Sequence, residues 1–190
     1  MEGCIAKFVD HQIRKRQIAQ SEAELYQYGY RLLIEKACAL ILTIVIAVLF
    51  DAWMEIFIFC AAFIPVRTFA GGYHAKHSLS CMILSAGVLI FNIFAGKWVL
   101  AAGYEGYALL LEVLLYPVIV CLAPVENVNR RISESERKYF KRIVLVLYAA
   151  EILAGFVLQL WGRADLAALI VLAHISVAGS LAVGVGRQGR

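Results

Sequence analysis

Between Pro65 and Cys81 the sequence gathers, within seventeen residues, side chains able to do covalent chemistry on a carbonyl group: Arg67, the pair Gly71-Gly72, His74, His77 and Cys81. A cysteine attacks as its thiolate, and a histidine can take the thiol proton and later return it to a leaving amine. Spacing restricts how His74 and Cys81 could cooperate. In one continuous helix, seven residues at about 1.5 Å rise would separate them by roughly 10.5 Å. Direct proton transfer needs about 2.6–3.2 Å. The segment must therefore fold back. Gly71 and Gly72 can end a helix and accept positive φ. Ser78 suits the N-cap of a following helix, which puts Cys81 in its first turn. There the unpaired amides and the positive end of the helix dipole favour negative charge at the sulfur.

The same residue types allow other readings. His74, His77 and Cys81 are ligand types that suit zinc, but no fourth ligand lies nearby in the sequence, so no metal is expected. Arg67 could bind a substrate carboxylate, stabilise an oxyanion, or simply snorkel at a membrane interface. Gly71 and Gly72 are expected to shape the loop rather than touch substrate. Cys38, Cys60 and Cys121 read as inert apolar residues, and His11 and His174 as polar tips near an interface. Glu112 and Glu151 fall inside apolar runs, where an ionisable residue is a functional candidate by default. Either they meet a polar partner across the bundle or they stay hydrated near an interface. No P-loop, dinucleotide fingerprint or HExxH occurs, so no cofactor is expected.

The elements that must carry these residues follow from composition. The chain has 190 residues, 62% of them apolar and 17% charged, against about 45–50% and about 25% in ordinary globular domains. A soluble chain of this size cannot hide that much apolar surface. With 3 Pro, 14 Gly and 5 Cys, disordered, collagen-like and disulfide-scaffold classes are excluded as well. The expected fold is an all-α integral membrane protein, a single polytopic domain over residues 1–190. Residues 1–30 form an N-terminal amphipathic segment, with Ile5, Phe8, Val9 and Ile13 on one face and Lys7, Arg14, Lys15 and Arg16 mostly elsewhere; it reads as an interfacial helix.

Six apolar runs follow, Leu32–Phe50, Trp53–Val66, Leu79–Ala95, Tyr107–Leu122, Ile143–Leu160 and Leu166–Val185. The second and fourth are short for a hydrocarbon core of about 30 Å, and a four-span arrangement with the second run re-entrant is the alternative. Trp53, Trp98, Tyr104, Tyr107 and Trp161 mark span ends, as interfacial aromatics do. The polar connection 123–142 reads as a basic cytoplasmic loop that contacts lipid and could dock acidic parts of a peptide, whereas nucleic acid is a poor partner for so short a cluster. With the N-terminus inside, 16 of the 18 Lys and Arg residues fall on the inner side and only Lys97 and Arg163 outside. The positive-inside rule thus puts both termini and the 67–81 segment in the cytoplasm. Ser176, Ser180 and Gly184 make a small-residue stripe that favours close helix packing, within the chain or in a homodimer.

Arg67, the run Gly71-Gly72-Tyr73-His74-Ala75 and Cys81, set between two spans, closely resemble the accessory gene regulator B (AgrB) family of bacterial membrane-embedded cysteine endopeptidases. In outline the resemblance covers nearly the whole chain: a basic amphipathic start, about six spans and a basic loop in the second half. It implies processing of a short precursor of a cyclic quorum-sensing peptide in the cell membrane of a Gram-positive bacterium. It further implies Cys81 as nucleophile, His74 as general base and then acid, and Arg67 within the functional set. His77 has no assured counterpart in the family pattern. The acyl-thioester on Cys81 would then yield to an internal Cys or Ser of the precursor, closing a thiolactone or lactone. The rival from another class is a small transporter or peptide exporter whose path Arg67, His74, Glu112 and Glu151 would line.

Overall fold

The computed structural model describes residues 2–73, 78–126 and 132–188. Helix α1 spans Glu2–Arg14, α2 Ala23–Phe50, α3 Trp53–Ala70, α4 Ser78–Ala101, α5 Ala108–Leu122, α6 Glu134–Leu160 and α7 Ala164–Gln188. No strand occurs among the described residues; the one β-type pairing is an isolated parallel bridge between Gly71 and Val125. Among the described residues, six helices are long and apolar enough to cross a membrane. The second run, short in the sequence reading, reaches Ala70 and gives an 18-residue helix. The fourth lengthens to 18 residues because a 3-10 turn at Glu105–Tyr107 leads into α5. At about 1.5 Å per residue each then covers about 27 Å, near the thickness of the hydrocarbon core.

The chain forms two compact units, 1–45 and 46–190. In the first, Ile5, Val9 and Ile18 are buried while Phe8 is half exposed. α1 is tied to the start of α2 by an edge-on contact of Phe8 with Tyr30 (5.2 Å) and a hydrogen bond from Tyr30 to Gln12 (3.1 Å). The apolar face expected from the sequence is there, carried by a 13-residue helix.

In the second unit α7 is the central element, packed against α3, α4, α5 and α6. Of its span 56% is buried, against at most 28% for any other span. The cause lies in its side chains: Ala167, Ala168, Ala173, Ala178 and a Ser/Gly series let four neighbours approach closely. Around it Val66, Ala70, Ile119, Val144, Tyr148, Val177 and Leu181 make the main core. The outward faces of the other spans carry Phe57, Leu110, Leu114, Val146 and Leu153, all exposed, as a lipid solvent permits.

Trp53, Trp98, Tyr104, Tyr107 and Trp161 lie at helix ends and are exposed, as expected. Because the helices alternate, these ends share one side of the bundle. Lys97 and Arg163, the two cations on that side, are both engaged: Lys97 donates to the Phe50 carbonyl (3.3 Å) and Arg163 pairs with Asp165 (2.8 Å). The connection 123–142 is shorter than its polar composition suggests, because α6 begins at Glu134. A capping box starts it: Ser133 Oγ accepts from the Glu136 amide (3.3 Å), and Glu136 accepts from the Ser133 amide (2.9 Å). The Ser-x-x-Glu signal lies in the sequence, hidden among charges. Arg137, Lys138, Lys141 and Arg142 thereby become the first turns of a helix, with Arg137 paired to Glu126 at 2.7 Å.

Candidate functional site

The segment that leaves α3 lies at the opposite end of the bundle from the aromatic cluster. α3 stops at Ala70 because Gly71 and Gly72 take φ values of +73° and +120°, a region in which an L side chain is strained. The Gly71 amide still closes on the Arg67 carbonyl at 3.2 Å. Arg67 then reaches past the end of its own helix and donates to the carbonyl of Gly71 and to that of Tyr73, the latter at 2.7 Å. These are charge-assisted bonds from one planar fork to two backbone carbonyls. Arg67 is thus neither a snorkelling side chain nor one turned wholly to a ligand. It braces the loop.

Two walls confine that loop. On one side the Val125 amide donates to the Ala70 carbonyl (2.8 Å), beside the parallel Gly71–Val125 bridge. On the other the Tyr73 amide donates to the Ser180 carbonyl of α7 (3.0 Å). Gly71 is required by contact as well as by φ, and Gly72 chiefly by φ. A Cβ on Gly71 would sit 2.0 Å from the Val125 carbonyl oxygen, and one on Gly72 would sit 2.8 Å from Ser180 Oγ. From the α7 side, a Cβ on Gly184 would approach Tyr73 N and Val125 Cγ1 to 3.0 Å. The stripe Ser176, Ser180, Gly184 is therefore occupied within the chain: Ser180 and Gly184 hold the loop, and Ser176 Oγ accepts from Asn92 of α4 (2.8 Å).

Cys81 stands in the first turn of α4, half-buried, and interacts electrostatically with Arg67. The sequence placed Ser78 at the helix cap; it is the first residue of α4, and Cys81 keeps its position in the first turn. His74 and His77, with Ala75 and Lys76 between them, lie outside the described residues, as do Arg130 and Arg131 of the basic connection. The chain enters the 74–77 stretch at Tyr73, held by Arg67 and Ser180, and leaves it at Ser78, three residues before Cys81.

Sequence reasoning singled out Arg67, Gly71, Gly72 and Cys81 but missed their supports, Val125 and Ser180. Nothing local marks those two, because both act through backbone atoms supplied by distant parts of the chain. For Glu112 and Glu151 the sequence offers either a polar partner across the bundle or hydration near an interface, and it names no partner. The structure brings them together: His174 Nδ1 lies 2.6 Å from a Glu112 oxygen and Nε2 lies 2.5 Å from a Glu151 oxygen. His174 is fully buried and Glu112 nearly so. Hydration near an interface is thus overturned for Glu112 and His174, and a polar partner across the bundle is what the fold provides.

Arg67→Lys tests the brace. One ammonium cannot match a fork that spans two carbonyls, so the loop loses about one charge-assisted bond, worth about 1.5–3 kcal/mol. Amide exchange at Gly71–Tyr73, read by mass spectrometry, is expected to rise at least about tenfold, with helix content by circular dichroism unchanged.

No curated protein sequence and no solved structure matches the chain. Family comparison gives one finding, and it covers both the loop and the spans that hold it. The profile described as Accessory gene regulator B (AgrB) matches residues 4–184, nearly the full length, and the chain belongs to that family, whose members act in the membrane on peptides of quorum-sensing regulation.

Proposed function

We propose that the protein is a cysteine endopeptidase of the bacterial cell membrane that cleaves a short precursor peptide and supports its closure into a cyclic autoinducer. The observation that carries this reading is the braced segment Gly71–Tyr73. Arg67, Val125 and Ser180 hold it, it runs directly into His74 in the sequence, and Cys81, in the first turn of the next helix, is within electrostatic reach of Arg67. The break at Gly71 and Gly72 suits the fold-back that a Cys–His pair seven residues apart requires.

In the proposed reaction the Cys81 sulfur adds to a precursor carbonyl while His74 takes the thiol proton. Collapse of the tetrahedral adduct breaks the C–N bond, and His74 returns the proton to the leaving amine. The resulting thioester keeps the acyl group activated. An internal Cys or Ser of the precursor then attacks it, closes a thiolactone or lactone, and releases the Cys81 thiol. Water competes at that stage, so placement at the membrane end of a packed bundle favours cyclisation over hydrolysis. Arg67 supports the loop through its bonds to the Gly71 and Tyr73 carbonyls.

By the distribution of Lys and Arg, both termini and this loop face the cytoplasm, where an unprocessed peptide is made. The exporter reading draws less support, since Glu112 and Glu151 close on His174 and Arg67 closes on the backbone.

The direct test is capture of the acyl-enzyme. Full-length protein in lipid nanodiscs, mixed with a precursor whose internal nucleophile is replaced by Ala, is expected to gain the mass of the N-terminal fragment. The adduct should map to Cys81 and be released by hydroxylamine. Cleavage without any Cys81 adduct would sink the covalent mechanism.

A further inference from the structure

The Glu112–His174–Glu151 cluster lies outside the loop, yet α7 connects the two. We infer that this cluster is a buried proton-holding latch that positions α7, and through Ser180 positions the segment leading to His74. The inference rests on the reading of that segment as the active-site loop.

Chemistry sets the proton count. A ring nitrogen without a proton and a carboxylate oxygen both present lone pairs, so they repel at hydrogen-bond distance. His174 Nε2 makes a hydrogen bond of 2.5 Å with Glu151, while Nδ1 lies 2.6 Å from a Glu112 oxygen in an ion-pair contact off the hydrogen-bond direction, and each contact escapes lone-pair repulsion only with a proton on one of its two atoms. No group of metal-ligand type occurs among the described residues. The titratable groups facing His174 are Glu112 from α5, and Glu151 and Tyr148 from α6; among the described residues of α3 and α4, none does. Tyr148 packs edge-on against the imidazole with centroids 4.4 Å apart and stacks on Tyr116 at 5.8 Å, so the latch is walled by aromatic rings.

The lever is α7 itself. His174 and Ser180 are six residues apart on one helix, about 9 Å along its axis. A buried ionic contact broken on one side leaves an uncompensated charge in an apolar bundle. Loss of one latch proton turns one contact repulsive, and α7 must shift or rotate against α5 or α6. The Ser180 carbonyl moves with it, and Tyr73 N–H, one residue before His74, loses its fixed partner. These three are positioning residues, since none touches the loop.

The test uses amide exchange of the Gly71–Tyr73 segment, read by mass spectrometry on the full chain in nanodiscs, beside precursor cleavage. His174→Gln, whose single amide cannot bridge both carboxyl groups, is expected to raise exchange of this segment about tenfold and to lower kcat about tenfold to a hundredfold. KM is expected to stay within about twofold, because peptide contacts are intact. Glu151→Gln keeps an acceptor for Nε2 and should shift both readouts only about two- to threefold, a partial rescue that bulk destabilisation does not predict. Wild-type protein titrated upward in pH should show the same loss of protection, beyond the intrinsic exchange rate, in one step. If any of these samples folds and titrates with the segment protected as in the untreated wild type, the latch does not position the loop. Exchange needs no turnover. A protein that never cleaves precursor but shows these changes overturns the protease reading alone; one that cleaves with unchanged exchange overturns the latch alone.

Discussion

Cys81→Ala is expected to abolish precursor cleavage, and His74→Ala to do nearly the same. When a nucleophile and its base act as a unit, loss of either removes most of what the pair contributes, which in cysteine and serine peptidases amounts to about 10⁴-fold or more in kcat. Full-length protein co-expressed with its precursor, with products weighed by mass spectrometry, gives the readout. Both variants should assemble normally. Cys81 is half-buried in the first turn of α4 and is not part of the packed core, so its loss leaves no large cavity. Cys60→Ala is the matched control, a half-buried thiol inside α3 that should retain wild-type activity. Cleavage at the wild-type rate by the Cys81 or the His74 variant would remove that residue from the reaction.

The second large effect comes from one methyl group. Gly71→Ala places a Cβ 2.0 Å from the Val125 carbonyl oxygen, at a residue with φ of +73°. With ψ of -149° this is a region essentially restricted to glycine, costing a side-chain residue about 1–3 kcal/mol by itself, and no real Cβ tolerates that contact. The Gly71–Val125 bridge must open, and with it the bond from Val125 N–H to the Ala70 carbonyl. Arg67 then grips carbonyls in the wrong place. Activity is expected to drop about a hundredfold, as for misplacement of a catalytic group by about 1 Å. The six spans do not depend on the bridge, so helix content and detergent stability should barely change. Gly87→Ala makes the contrast. Nothing lies within 4 Å of its Cβ position in α4, and alanine gains about 0.5–1 kcal/mol over glycine inside a helix. Equal activity losses in the two variants would mean that Gly71 is not a steric requirement of the loop.

The fold was largely legible because a bilayer imposes simple rules. Six apolar runs, their aromatic ends and the placement of 16 of 18 cations are properties of local segments, readable without any contact map. The loop was legible for a related reason. Gly71 and Gly72 announce a break through their own backbone freedom, and Cys81 lies in the first turn of α4 as its bounds stand.

Where the reading stopped short, the missing information was long-range. Arg67 offered three roles by type, and only the positions of the Gly71 and Tyr73 carbonyls select the brace. The small-residue stripe Ser176, Ser180, Gly184 fitted packing within the chain or between copies. Contacts with Asn92, Tyr73 and Val125 assign it within the chain. Glu112, Glu151 and His174 lie on three helices, and no periodicity tells which faces meet.

By itself, then, the sequence determined the solvent this chain lives in, the apolar runs that can cross it, and the residue types near Cys81. Each follows from transfer free energies and backbone propensities that act within a few residues. Only the tertiary structure decided what holds the loop and what fills the centre of the bundle. Those depend on backbone carbonyls and buried carboxyl groups brought together from positions as far apart as Gly72 and Ser180, or Glu112 and His174, by the close approach that the small side chains of α7 allow.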